Sequence, residues 1–151
     1  MNPKKIVLVT GGSRGIGAAA AKLFAKNGYS VCINYKSNEV AALKTAQEIL
    51  EFGGTCITVQ ADVSNEKDVI NLFSTIDQKL GHISVLVNNA GILKKQTRLE
   101  ELTAERINEV FTTNVTGYFL CCREAVKRMS FKNGGSGGAI VNVSSGNCQD
   151  S

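Results

Sequence analysis

The sequence has no tryptophan, one proline, one histidine and only 6% aromatic residues. A single Pro against 15 Gly, with no G-x-y period, excludes collagen-like, low-complexity and Pro-rich linker readings. Long apolar runs are missing too. The longest near the N-terminus, residues 6–9, falls short of the ~7 to 15 residues of a signal-peptide core and the ~20 of a membrane span. A cytoplasmic protein without a membrane partner is expected. The charge excess is small, 17 basic residues against 13 acidic, and the cations are scattered, so nucleic acid is not an expected partner. The cysteines, Cys32, Cys56, Cys121, Cys122 and Cys148, are odd in number and show no C-x-x-C or metal-ligand spacing. They read as reduced, small apolar residues. His82, with no second ligand at metal spacing, reads as a loop residue, and no metal site is expected.

What is present is a composition of 43% apolar and 20% charged residues over 151, enough for one domain, 1–151, with one well-buried core. Five runs rich in β-branched residues recur: 5–10, 30–34, 55–60, 83–88 and 139–144. They are continuously apolar rather than alternating, as strands buried on both faces are. Helical spacing fills the intervals, through Ile16, Ala19, Ala20 and Leu23, then Val40, Leu43, Ala46 and Leu50, then Val69, Leu72, Phe73, Ile76 and Leu80. Gly28 and Gly53–Gly54 are expected to end the first two helices, and Ser64 to cap the third. A long helix is expected over 104–129, with Val115, Phe119, Cys122, Val126 and Met129 on one stripe and Tyr118, Leu120, Cys121 and Ala125 widening it toward a second surface, a subunit contact being one candidate. Strand–helix alternation of this kind predicts right-handed crossovers and a parallel α/β sheet covered on both faces.

The first strand-to-helix turn reads Thr10-Gly11-Gly12-Ser13-Arg14-Gly15-Ile16-Gly17. Glycines there let the backbone turn sharply and approach a ligand, while the helix N-terminus offers unpaired N–H groups and partial positive charge to a phosphate. A dinucleotide site is the expectation; a ligand-free glycine turn is the plainer reading of the same residues. Domains of this kind that prefer NAD usually carry an acid at the end of the second strand, to bind the ribose 2'-hydroxyl. Asn34-Tyr35-Lys36 stands there instead. Lys36 and Arg14 are two cations suited to a 2'-phosphate, which favours NADP over NAD, although Lys36 could equally be a solvated loop lysine.

Four motifs, the glycine turn, Asp62-Val63 after the third strand, Asn88-Asn89-Ala90-Gly91 after the fourth and Val143-Ser144-Ser145 after the fifth, stand in order at successive strand ends. Together they resemble the short-chain dehydrogenase/reductase family, near the bacterial 3-oxoacyl-carrier-protein reductases and glucose dehydrogenases. The resemblance implies a Rossmann-like doubly wound sheet, here with five strands in the order 3-2-1-4-5, and an NADP(H)-dependent oxidoreductase acting on a small carbonyl or alcohol substrate. By resemblance, Gly11, Gly12, Ser13, Arg14 and Ile16 hold the ribose phosphate and pyrophosphate, within the run that includes Gly15 and Gly17. Asp62 and Val63 lie along the adenine, and Asn89, Ala90 and Gly91 face the ribose. Asp62 also admits a reading as a helix-entry residue. Ser145 matches the serine that hydrogen-bonds the substrate oxygen, and Asn114 the asparagine that supports a proton path.

The family's Y-x-x-x-K is not in these 151 residues: Tyr29, Tyr35 and Tyr118 are followed at the fourth position by Ile33, Glu39 and Cys122. The chain is therefore expected to be a fragment or shortened product of a longer, homo-oligomeric reductase, inactive by itself. A non-catalytic NADP(H)-binding or regulatory protein is the alternative, and a structural subunit a third.

Overall fold

The computed structural model describes residues 5–145. Five parallel strands, β1 (Ile6–Val9), β2 (Ser30–Tyr35), β3 (Thr55–Gln60), β4 (Val85–Asn88) and β5 (Ala139–Asn142), form one sheet in the order β3-β2-β1-β4-β5. The connections carry helices α1 (Gly15–Lys26), α2 (Glu39–Glu51) and α3 (Glu66–Lys79), then α4 (Ala104–Phe111) and α5 (Gly117–Met129). The expected doubly wound topology is what forms.

Alternate residues of each central strand feed opposite layers, as the pleat requires. Val7, Val9, Val31, Ile33, Val85 and Val87 pack beneath α1 and α2 with Ala21, Ala25, Ala42, Ala46 and Ile49. Leu8, Cys32 and Leu86 point the other way, against Val69, Leu72, Phe73 and Ile76 of α3 and Cys121, Ala125 and Met129 of α5. β5, at the edge, is largely exposed.

The third helix packs as its spacing predicts, but the other faces differ. Ile16 and Leu23 of α1 are 69% and 63% exposed, while Gly17, Ala18, Ala21 and Ala25 are buried. In α2 the buried set is Ala42, Thr45, Ala46 and Ile49; Val40, Leu43 and Leu50 lie outside. Small side chains let these helices close on the sheet, so the largest apolar residues do not mark the inner face. In the same way α5 turns Cys121, Ala125 and Met129 inward and leaves Phe119 and Val126 exposed.

Helix ends follow local chemistry. Gly28 and Gly53 take left-handed φ of 81° and 82° just past α1 and α2, as expected. The cap of α3 is Asn65, not Ser64: the Asn65 side chain accepts from the N–H groups of Lys67 and Asp68 at 2.9 and 3.2 Å. The Ser64 hydroxyl is already donated to Asp62 Oδ1 at 2.6 Å, which removes it from capping. α4 and α5 are one helix interrupted by a π turn, Thr112–Thr116.

Candidate functional site

At the carboxyl end of β1 the chain enters its glycine turn, with Gly11 and Gly15 at φ of 60° and 56°. Its own Thr10 and side chains from two other strand ends hold this turn in place. The Thr10 hydroxyl, 1% exposed, accepts the N–H groups of Asn89 and Ala90 at 3.0 Å each. Asn89 Nδ2 returns two bonds, to the carbonyls of Thr10 and Gly11 at 3.1 and 3.0 Å. Asn34, 2% exposed, accepts from Gly11 N–H at 3.3 Å and donates to the Ala61 carbonyl at 3.0 Å. The turn is thus tied to β2, β3 and β4 together.

Glycine is needed where the pieces meet. A Cβ on Gly17 would lie 2.4 Å from the Gly11 carbonyl oxygen and 2.5 Å from Asn89 Nδ2, and one on Gly11 2.9 Å from Ala90 Cα. α1 begins immediately after, with Arg14 at its N-cap and no side chain bonded to its first turn, whereas α2, α3 and α4 are capped by Asn38, Asn65 and Thr103.

Above the turn lies a groove of about 540 Å³, within the range of small-molecule sites. It is lined by Gly11, Ser13, Arg14, Gly15, Ile16, Lys36, Asp62, Val63, Asn89, Ala90 and Gly91, together with Asn34, Ile92 and Thr113 among others. Gly12 and Gly17 lie beneath rather than on its surface; a Cβ on Gly12 would meet the Val9 carbonyl at 3.0 Å. The groove, the left-handed glycines and the uncapped helix start fit the phosphates and nucleoside of a dinucleotide.

Lys36 and Asp62 meet across one end of the groove, Nζ to Oδ2 at 2.7 Å. Asp62 Oδ1 accepts from the Ser64 N–H at 3.0 Å as well as from its hydroxyl, so Asp62 does close the turn into α3. Partial burial works to raise the Asp62 pKa, but the bonds from Lys36 and Ser64 outweigh it, and the carboxyl lies below its ordinary value.

Asn114 sits in the π turn, beside Gly91 and Ile92 rather than on the groove wall. Its Oδ1 accepts from Ile92 N–H at 2.8 Å and its Nδ2 donates to the Ile92 carbonyl at 2.9 Å. Ser145 is exposed, three residues past β5, on the same carboxyl edge of the sheet. Tyr118 is the tyrosine whose hydroxyl reaches the segment leaving β5, donating to the Val143 carbonyl at 3.0 Å. Burial, with the Cys121 thiol beside it, pushes its pKa up, the wrong direction for a proton-transferring phenol. Among the described residues no group of three or more His, Cys, Asp and Glu is placed to hold a metal, and no helix is long and apolar enough to cross a membrane.

Sequence reasoning missed the work of Thr10, Asn34 and Asn88. Asn34 is a polar residue near the end of a wholly buried strand, and that is the signal in the sequence that could have found it. Asn88, fully buried, donates to Asn142 Oδ1 at 2.9 Å and to Cys122 Sγ at 3.2 Å, joining β4 to β5 and α5.

Comparison with known proteins agrees with this architecture. The family model described as short chain dehydrogenase matches residues 5–151. An oxidoreductase of Escherichia coli K12, YgfF, is 61% identical over 140 residues, covering 93% of this chain and 57% of that protein. The 3-oxoacyl-[acyl-carrier-protein] reductase of a Synechocystis strain is 41% identical over 141 residues, covering 93% and 56%. A doubly substituted short-chain dehydrogenase/reductase of Serratia marcescens superposes with a TM-score of 0.87 at 28% identity, covering 97% of this chain and 58% of its own. The chain belongs to the short-chain dehydrogenase/reductase family. It spans a little over half the length of these relatives.

Proposed function

We propose that these residues form the nucleotide-binding part of an NADP(H)-dependent oxidoreductase acting on a small carbonyl or alcohol substrate. The observation that carries this is the glycine turn, anchored by Thr10, Asn34 and Asn89 under an open groove at the carboxyl end of the sheet. When bound, a nicotinamide dinucleotide supplies the hydride donor or acceptor. The chain's own contribution begins with the first-turn N–H groups of α1 and the backbone of Gly11–Gly15, which receive the pyrophosphate. Arg14 and Lys36 stand where a 2'-phosphate would be bound, and neither β2 nor the turn after it offers an acid to bind a ribose 2'-hydroxyl in its place. Asp62, Val63, Asn89, Ala90 and Gly91 line the nucleoside. Ser145 would hydrogen-bond the substrate oxygen, and Asn114 would hold the Gly91–Ile92 backbone in place beside the nicotinamide.

The 151 residues contain no tyrosine with a lysine four residues on, so on their own they are proposed to bind nucleotide without appreciable turnover. The exposed apolar residues Phe111, Val115 and Phe119 are proposed as a contact with a second copy, in a protein of the cytoplasm. Calorimetric titration with NADPH and NADH tests the central reading: micromolar binding of NADPH, tighter than NADH, is expected, and no binding of either below millimolar removes it. A second reading, a nucleotide-binding regulatory protein, is favoured by the engaged hydroxyl of Tyr118. Ketone reduction by any form of the protein in which Ser145→Ala abolishes the rate would exclude it.

A further inference from the structure

Lys36 and Asp62 follow the ends of the adjacent strands β2 and β3, and their ion pair crosses the groove just where two cations were expected to receive a phosphate. The two partners are not held alike. Asp62 is fixed on its other side by Ser64, which donates both its N–H and its hydroxyl to Oδ1, and its own N–H is donated to Asp68 Oδ2 at 2.9 Å. The Lys36 side chain is 61% exposed and is folded over onto this fixed carboxylate. Arg14 is exposed and has no ion pair among the described residues.

We infer that Asp62 is a specificity-determining residue: its carboxylate holds the Lys36 ammonium away from an incoming ribose 2'-phosphate, and so lowers the preference of the groove for a phosphorylated over an unphosphorylated nicotinamide dinucleotide. This rests on the dinucleotide reading of the groove. A phosphate that recruits Lys36 must draw it off Asp62 or share it with a second anion, and either penalty falls on NADPH alone. NADH brings no charge to that corner. Pairs this exposed are weak, so the effect is a few-fold rather than all-or-none.

The test is calorimetric titration of the full chain with NADPH and NADH. Asp62→Asn keeps an oxygen for Ser64 and removes the charge; it is expected to raise the NADPH-to-NADH affinity ratio about three- to fivefold. In a Lys36→Met background the same substitution is expected to change the ratio by less than about half as much, because there is no ammonium to release. An unchanged ratio with NADH binding intact overturns the inference, and so does an equal rise in both backgrounds, which would mean direct repulsion between Asp62 and the phosphate. Lys36→Arg gives an independent reading that leaves the Asp62 turn untouched, and it decides the matter if Asp62→Asn lowers the melting temperature sharply. A forked guanidinium can serve carboxylate and phosphate together and should also raise the ratio; no rise overturns the inference. If the unaltered protein binds neither nucleotide, the reading of the groove itself has failed, which is a separate result.

Discussion

Asn114 holds Ile92 by both backbone polar atoms, accepting its N–H at 2.8 Å and donating to its carbonyl at 2.9 Å. One side chain in the interrupted helix therefore fixes the path of the segment leaving β4. Asn114→Leu keeps the volume and removes both bonds. A loss of about 2 kcal/mol is expected, leaving two partly buried backbone groups unpaired. Thermal unfolding followed by circular dichroism should show the midpoint falling by roughly 4–8 °C; a change under about 1 °C would show the clamp to be idle.

Gly17 and Gly15 should respond differently to alanine. At Gly17 the new methyl lies 2.4 Å from backbone and 2.5 Å from the Asn89 amide, far inside van der Waals contact, so the turn must move; a loss of roughly 1–3 kcal/mol and at least about tenfold weaker NADPH binding are expected. At Gly15 nothing lies within 4 Å of the added Cβ, and the left-handed φ of 56° is the whole penalty, about 1–2 kcal/mol. Paired melts and titrations of the two variants check the contrast.

Thr10→Val preserves shape and deletes the hydroxyl that accepts from Asn89 and Ala90. A destabilisation of roughly 1–3 kcal/mol is expected, with Thr10→Ser recovering most of it. Urea denaturation measures this; equal midpoints for Thr10→Val and the unaltered protein would disprove the staple.

Glu124, 3% exposed on α5, is ringed by Arg123, Lys127 and Arg128, and Arg128 continues to Asp77 of α3 with Nη2 2.8 Å from Oδ2. Burial works to raise the Glu124 pKa, but the bonds from Lys127 and Arg128, with the Lys127 charge, dominate and hold it below the ordinary glutamate value. A carboxyl with a depressed native pKa stabilises the fold above its unfolded pKa, and that contribution disappears as pH falls through the native one. The Glu124 contribution should therefore be fully present from pH 7 to about 5 and be lost as the pH falls further, with Glu124→Gln less stable at pH 7 and showing a shallower acid slope. Chemical denaturation at a series of pH values gives both slopes; parallel slopes would exonerate Glu124.

The strands and the glycine turn were legible because parallel strands covered on both faces read as unbroken apolar runs and because a turn before a helix needs glycine whatever its neighbours. The inner faces of α1 and α2 were not, Ala46 apart, since Ala21, Ala25 and Ala42 pack by being small, a property that amphipathic spacing does not weigh. The residue types lining the groove could be named from the sequence, but not how they are engaged. Thr10 finds Asn89 and Ala90 across sequence separations of 79 and 80, and Lys36 finds Asp62 only because β2 and β3 end side by side. Asn114 was visible as an amide inside a helix; that it would sit in a π turn was not, because such a turn is stabilised by a tertiary partner, here Ile92.

That π turn bears on how the protein tolerates insertion and deletion. A π turn is an α-helix that has taken in one extra residue while the helix on either side keeps its facing. Removing one of residues 112–116 would let residues 104–129 run as an unbroken α-helix, with Cys121, Ala125 and Met129 still turned to the sheet. The helix would lose only its grip on Ile92, whereas the same deletion one turn later would rotate those three side chains out of the core by about 100°.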